Sequence, residues 1–359
     1  MLVRKPFTVL LALCCFLFVA TGLYAASRPA FKPDIKALGM GDAYCAYGDT
    51  WGAFLYNPAL LANTGFHLAV PDLQFGFDKT ATDVLKFAKD NQERFEDFDD
   101  LSTQEKQDFL DDVAEFDDRW VTVYLGPSVG VTLNSFAFGV YDVARARFKL
   151  DRGIYEPRLF ADVTTDIVFV GGHGVYLTDK LAVGANGKII SRRNSGLVHI
   201  KASEMESSKE IVEKAIDRLE KAKTGWGLDV GALYNLNSKT TLGASILDLL
   251  GTIEGGKTDI NMKLGIAYYL FPRLALTADL NDTFNRGGNN LLNKIYLGAN
   301  ANFEVIDLRL GYHKGYFSGG VGLNFSIVAL DYTYYGEELG PAPTVDKQWN
   351  HLFRLRLGL

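Results

Sequence analysis

Side chains that bind metals, move protons or attack carbon are present in this chain but scattered. The five histidines, His67, His173, His199, His313 and His351, share no His-Glu-x-x-His spacing, and there are no paired cysteines and no Gly-x-Ser-x-Gly step. Metal-assisted hydrolysis needs ligands on one face, and nucleophilic catalysis needs a base beside its nucleophile. Neither spacing is present, so the reading is a non-enzyme with no cofactor and no metal. A Ser-His pair assembled across distant strands is the one arrangement that spacing leaves open. Gly171-Gly172-His173-Gly174 has the composition of a phosphate loop, but it falls inside an alternating strand rather than between a strand and a helix. Gly171, Gly172 and Gly174 are read instead as wall-bend positions, either structural or opening a lateral gap.

One short stretch carries a local instruction. Trp51, Phe54, Leu55 and Tyr56 lead into Asn57-Pro58-Ala59. Asn57 has a helix-capping side chain and Pro58 suits the first helical position, leaving Ala59 to Ala62 as one turn. The same step could open a surface turn, but the bulky apolar residues ahead of it predict a packed, inward position. Further upstream, Arg4 and Lys5, an apolar run from Phe7 to Ala20, and small Ala25 and Ala26 read as an export signal over residues 1–26. Cys14 and Cys15 fall within that run, so Cys45 alone survives processing and an intramolecular disulfide framework is excluded.

The elements that must hold these residues are strands. Beyond the signal there is no run of about 18 apolar residues, so no helical membrane span is predicted, although 48% of the chain is hydrophobic and 13% aromatic. Val121, Val123, Leu125, Val129, Val131 and Leu133 alternate with Thr122, Tyr124, Ser128 and Thr132, and the same period of two recurs over residues 260–270 and 296–303. A soluble sandwich alternates as well, but connection lengths discriminate. Strands are predicted near 66–77, 119–133, 136–149, 160–177, 181–193, 225–236, 240–250, 258–271, 274–284, 292–304, 308–316, 319–326, 328–337 and 349–358. Short turns such as Asn134-Ser135, Pro272-Arg273, Val305-Ile306-Asp307 and Ser326-Ile327 fall at one end. Connections of the other parity are long, Phe317-Ser318 excepted.

Loop lengths segregated by parity predict an all-β, transmembrane antiparallel β-barrel of about 14 strands with periplasmic turns and extracellular loops. Its lumen would take Lys188, Asp229, Lys263, Asp279, Lys294, Arg309, Arg354 and Arg356, while Asp142 falls on the apolar face. Tyr332-Tyr334-Tyr335 and Tyr312-Tyr316-Phe317 fit interfacial girdles, or simply high strand propensity. A net charge of -6 argues against nucleic acid as partner.

Two helical insertions, 79–118 and 196–224, interrupt the strands. Residues 90–118 hold 13 acidic residues against Arg94 and Lys106, and Ser102-Thr103-Gln104-Glu105 reads as a capping box for a helix with Phe109, Leu110, Val113 and Phe116 on one face. Residues 203–223 place Ile211, Ala215, Ile216, Leu219 and Ala222 on one face. By parity both lie outside the cell over the barrel mouth, either packing together to shield the rim or forming a lid.

Gly39-Met40-Gly41, Ala43-Tyr44 and Tyr56-Asn57-Pro58-Ala59 together resemble the amino-terminal signature of FadL-like outer-membrane proteins, a class holding hydrophobic-compound transporters, PorV-like secretion components and TraF-like conjugal-transfer proteins. The tail, Gly320-Val321-Gly322-Leu323 and then Ala329 to Tyr334, is similar to the end of PorV-like chains, and Leu60-Leu61 looks closer to the TraF-like branch. The resemblance implies an outer-membrane barrel of a diderm bacterium whose residues 27–64 fold inward as a plug and whose residues 65–359 form the wall. Trp51, Phe54, Tyr56, Asn57, Pro58 and Ala59 are then the plug and gating candidates. The implied function is uptake or binding of hydrophobic small molecules such as long-chain fatty acids, with outer-membrane lipid as surroundings. The alternative is a plugged docking or assembly component for an exported protein or a conjugation apparatus.

Overall fold

Alternation along the chain becomes sidedness in the wall. The computed structural model describes residues 31–48, 50–116, 119–201, 204, 210–283, 291–338 and 347–358; the expected export signal lies outside them. Sixteen strands form one sheet. Two are short additions, Val198–Lys201 and Gly256–Lys257, and the remaining fourteen build the wall. These are β1 (His67–Asp78), β2 (Trp120–Leu133), β3 (Phe136–Asp151), β4 (Arg158–Tyr176), β5 (Leu181–Asn194), β6 (Lys223–Asn237) and β7 (Thr240–Ile253). The second half comprises β8 (Asn261–Phe271), β9 (Leu274–Leu280), β10 (Ile295–Phe303), β11 (Ile306–His313), β12 (Tyr316–Phe325), β13 (Val328–Glu338) and β14 (Lys347–Gly358). Each pairs antiparallel with its neighbours, and β14 pairs with β1 as well as β13, so the barrel closes.

On β2, Leu125, Val129 and Leu133 are exposed outward while Thr122, Ser128 and Thr132 are buried inward. The outer belt is apolar on strand after strand, as a lipid-facing wall requires. Asp142, on the outward parity, accepts a 2.8 Å hydrogen bond from Thr165 Oγ1 within an unbroken ladder. Tyr332 and Tyr334 contribute to an outer aromatic patch with Trp349, His351 and Phe353. Tyr316 and Tyr335 depart from the girdle expectation and are buried.

Three strand ends differ from expectation. The β11–β12 turn is Lys314-Gly315 rather than Phe317-Ser318, because φ is positive at both positions (49° and 92°) and the glycine takes the larger value without strain, which Phe317 could not. The β10–β11 turn is Glu304-Val305, with Glu304 at φ 71°, which leaves Asp307 inside β11. Strand β9 stops at Leu280. On β1 the register shifts against both neighbours between Ala69 and Asp72, where Pro71 has no N–H to give, and the shift turns Asp72 inward.

The helical insertions dock elsewhere than over the mouth. Helices α2 (Lys79–Asp90), α3 (Gln92–Glu96) and α4 (Thr103–Ala114) follow β1; α5 (Glu210–Asp217) precedes β6, and α1 (Ile35–Gly39) lies in the amino-terminal segment. The capping box forms at α4, and the Ser102 hydroxyl and N–H hold Glu105 below the usual carboxylate range. Phe95, Phe98, Phe109 and Val113 pack with Leu150, Ala161, Val198, Ile200 and Ala215, so the two insertions share one core. Leu150 has the parity of outward Phe138 and Val140, and Ala161 that of outward Ile167 and Phe169, along a β3–β4 ladder without a register break. Helices α4 and α5 therefore lie on the outer flank of the tall β3–β4 hairpin, while α2 contacts β1, β2 and β14. Above the lipid that flank is apolar and needs a cover, and the apolar faces of the helices supply it.

Phe109 is fully buried against Phe87, Phe95 and Phe98. Phe109→Ala should cost the helical layer about 3–5 kcal/mol. Limited proteolysis should then cut within residues 79–116 faster, while the heat-modifiable gel mobility of the barrel stays unchanged.

Candidate functional site

The residues singled out from the amino-terminal stretch are all buried inside the lumen. Trp51 and Phe54 lie in a 3₁₀ turn, Trp51–Leu55, and Pro58 and Ala59 in a second, Pro58–Asn63. Trp51 Nε1 donates to Asp72 Oδ2 at 3.0 Å, the carboxylate that the β1 bulge turns inward. Asn186 of β5 donates to the Phe54 carbonyl at 2.8 Å. Tyr56 Oη accepts from the Asp34 N–H at 3.0 Å, and its ring meets Phe31 and Tyr44 edge-on. Asn57 caps the second turn by accepting from Ala59 N, and its amide donates to the Cys45 and Ala232 carbonyls at 2.8 and 3.1 Å. One side chain thus ties two plug segments to strand β6.

Plug and wall approach at backbone distance, which glycine permits. A Cβ on Gly243 would sit 2.5 Å from the Cys45 carbonyl oxygen, one on Gly298 2.5 Å from that of Met40, and one on Gly174 2.6 Å from Ala62 N. Gly130 and Gly139, paired across β2 and β3, both face the Trp51 ring. Gly172 and Gly174 consequently accept the plug. The ladder runs unbroken through residues 171–173 on the β3 side and 171–174 on the β5 side, so no bulge or gap opens in the wall at these glycines.

Charge fixes the other end of the plug. Asp34 caps α1. A chain of alternating charges then runs from Lys36 to Asp307 (2.7 Å), Arg309 (2.8 Å), Asp331, Arg354 (2.7 Å) and back to Asp34 (3.4 Å). It crosses β11, β13 and β14, with Gly322 of β12 leaving room for the Arg309 guanidinium. Sequence parity placed Arg309 and Arg354 in the lumen but missed Asp34, Lys36, Asp307 and Asp331. The available signal was the inward parity of Asp331 directly opposite Arg354.

Above the plug, a cavity of about 600 Å³ faces the long-loop end, where Asn194, Lys314 and Glu337 line its rim. Phe31, Pro33 and Leu38 of the plug form an apolar floor, and Asp42, Tyr296 and His313 a polar corner. A second, shallow hollow of about 1010 Å³ lies on the lipid side, lined by Phe138, Phe169, Ile189 and Trp226 around Gly171 and Gly187. Among the described residues, no three His, Cys, Asp or Glu side chains gather as a metal site, and no helix is long and apolar enough to cross a membrane.

A closed fourteen-stranded wall, an apolar outer belt and an inward-folded plug define a plugged transmembrane barrel. Its architecture is similar to that of solved FadL-type barrels. A deletion mutant of the TodX monoaromatic hydrocarbon channel matches with a TM-score of 0.55 at 12% identity, over 90% of this chain and 97% of that one. The Pseudomonas putida toluene transporter TodX matches at 0.53 and 12%, over 92% and 99%. A Pseudomonas aeruginosa FadL homologue matches at 0.53 and 12%, over 91% and 98%. Residues 178–257 match a family of unknown function, DUF5723. None of the curated proteins matches the sequence.

Two tests address how the plug is held. Asp331→Ala strands two buried arginines and should lower stability by about 3–5 kcal/mol, read as a lower midpoint of thermal unfolding in detergent. Burial pushes the Cys45 thiol up to about 12, so it should resist maleimide in the folded barrel. Gly231→Val, whose side chain collides with Asn57, should expose it, as read by mass spectrometry of the Cys45 peptide.

Proposed function

We propose that this chain is an outer-membrane barrel that binds hydrophobic small molecules at its extracellular mouth and takes them up past the plug, long-chain fatty acids being one candidate class. The observation that carries the reading is the position of the cavity: it faces the long-loop end and its floor is the plug, so a ligand arriving from outside meets Phe31, Pro33 and Leu38 before any route inward. A cavity of about 600 Å³ is within the usual range for small-molecule sites. The reading gains support from fold neighbours that are hydrocarbon transporters. Of the branches that the amino-terminal motif resembles, we therefore take the hydrophobic-compound transporters. In this reading Trp51, Phe54, Tyr56, Asn57, Pro58 and Ala59 anchor the plug, and the segment carrying Phe31 to Pro33, at the cavity floor, is the part that yields to a ligand.

Deleting the gene should reduce cellular uptake of a radiolabelled hydrophobic compound several-fold, and the wild-type gene should restore it. Uptake that is unchanged on deletion, across hydrocarbon and fatty-acid probes, would overturn the reading.

A further inference from the structure

The polar corner of the cavity contains two buried atoms, one on Asp42 and one on His313, that have no hydrogen-bond partner. Gly41 and Asp42 both adopt positive φ, 62° and 61°, which presents the Asp42 side chain to the cavity. Asp42 Oδ2 lies 3.6 Å from Lys263 Nζ, whereas Oδ1 has no hydrogen-bond partner. His313 closes β11, is 6% exposed and stacks on Tyr296 with ring centres 5.6 Å apart. Its Nδ1 also has no partner. Both residues line the same cavity whose floor is apolar at Phe31 and Leu38.

From this juxtaposition, and resting on the uptake reading above, we infer that the cavity holds an amphipathic ligand whose polar end is a neutral hydrogen-bond donor, an alcohol or phenol in class, seated between Asp42 and His313. Buried polar atoms are normally paired, and an ionised carboxylate oxygen can only accept. An imidazole nitrogen gives or accepts according to tautomer. A single hydroxyl satisfies both, donating to Asp42 Oδ1 and accepting from His313 Nδ1–H. A hydrocarbon leaves both atoms unpaired. A carboxylate cannot donate to Asp42 Oδ1 and, with Lys263 already paired to Oδ2, adds a second anion at this corner, so a fatty-acid head is drawn instead to the cations elsewhere in the lining, Lys32, Arg145, Arg192 and Lys314. The apolar remainder of the ligand lies over Phe31 and Leu38.

The test uses the full chain in lipid nanodiscs and equilibrium dialysis of radiolabelled 1-decanol, decanoate and n-decane, with protein-free nanodiscs correcting for partition into lipid. Decanol should be retained about tenfold more tightly than either comparator. Asp42→Ala and His313→Phe, the latter keeping the ring against Tyr296, should each remove that preference and leave n-decane retention unchanged. Decane or decanoate held as tightly as decanol, or a preference that survives both substitutions, would overturn the inference and leave the uptake reading standing. No retention of any probe above protein-free nanodiscs would overturn both.

Discussion

Everything inside this barrel depends on one chain of alternating charges that starts and ends on the same short helix. Asp34 caps α1 and Lys36 lies in its first turn, and between them the chain passes through Asp307, Arg309, Asp331 and Arg354 of the wall. Ions shielded from water persist only when each has a partner of opposite sign and good geometry. Here each wall ion has such a partner, and the plug supplies the two terminal ones. The position of α1 is therefore set by three strands at once. Residues 40–48 and 50–62 then run across the lumen within reach of the wall glycines, and the cavity floor falls where α1 and Phe31 leave it.

Backbone-to-backbone seating follows from the size of the lumen. A fourteen-stranded wall with large inward side chains would leave little room for a folded segment, so inward glycines such as Gly243 and Gly298 make the space. The plug has few long side chains at these points and meets the wall through its own carbonyls. The fit couples two distant parts of the sequence: side chains that would strengthen a strand by propensity are excluded because another segment already fills their volume.

Much of the wall was legible in the sequence because its signal is local. Period-two alternation and the segregation of short and long connections both survive without any tertiary information, and they yielded the strand count and the lipid face. The misses have tertiary causes. Lys314-Gly315 makes the turn that had been assigned to Phe317-Ser318, since backbone φ decided and side-chain size did not. Gly172 and Gly174 look like bend residues until the plug is in place, because nothing in a strand's own sequence says which segment will press against it, whereas Gly171 faces the outer hollow. The charge chain was half visible: parity placed its arginines in the lumen, but Asp34 and Lys36 lie at a five-residue helix too short to show a period. The helical insertions were recognisable as amphipathic, yet amphipathicity names a buried face without naming its partner.

The strands themselves differ in height. β4 has 19 residues and β11 only 8, which at about 3.3 Å per residue is about 60 Å of strand against about 26 Å. The described wall is thus cut obliquely, high along the β3–β4 side, where helices buttress it from outside, and low along β9 to β12. A molecule dissolved in the outer leaflet near the low lip has little protein to climb before it reaches the mouth. Under the proposed uptake reading, that shape would gather what the membrane has already concentrated, with the tall flank as a backstop to lateral diffusion.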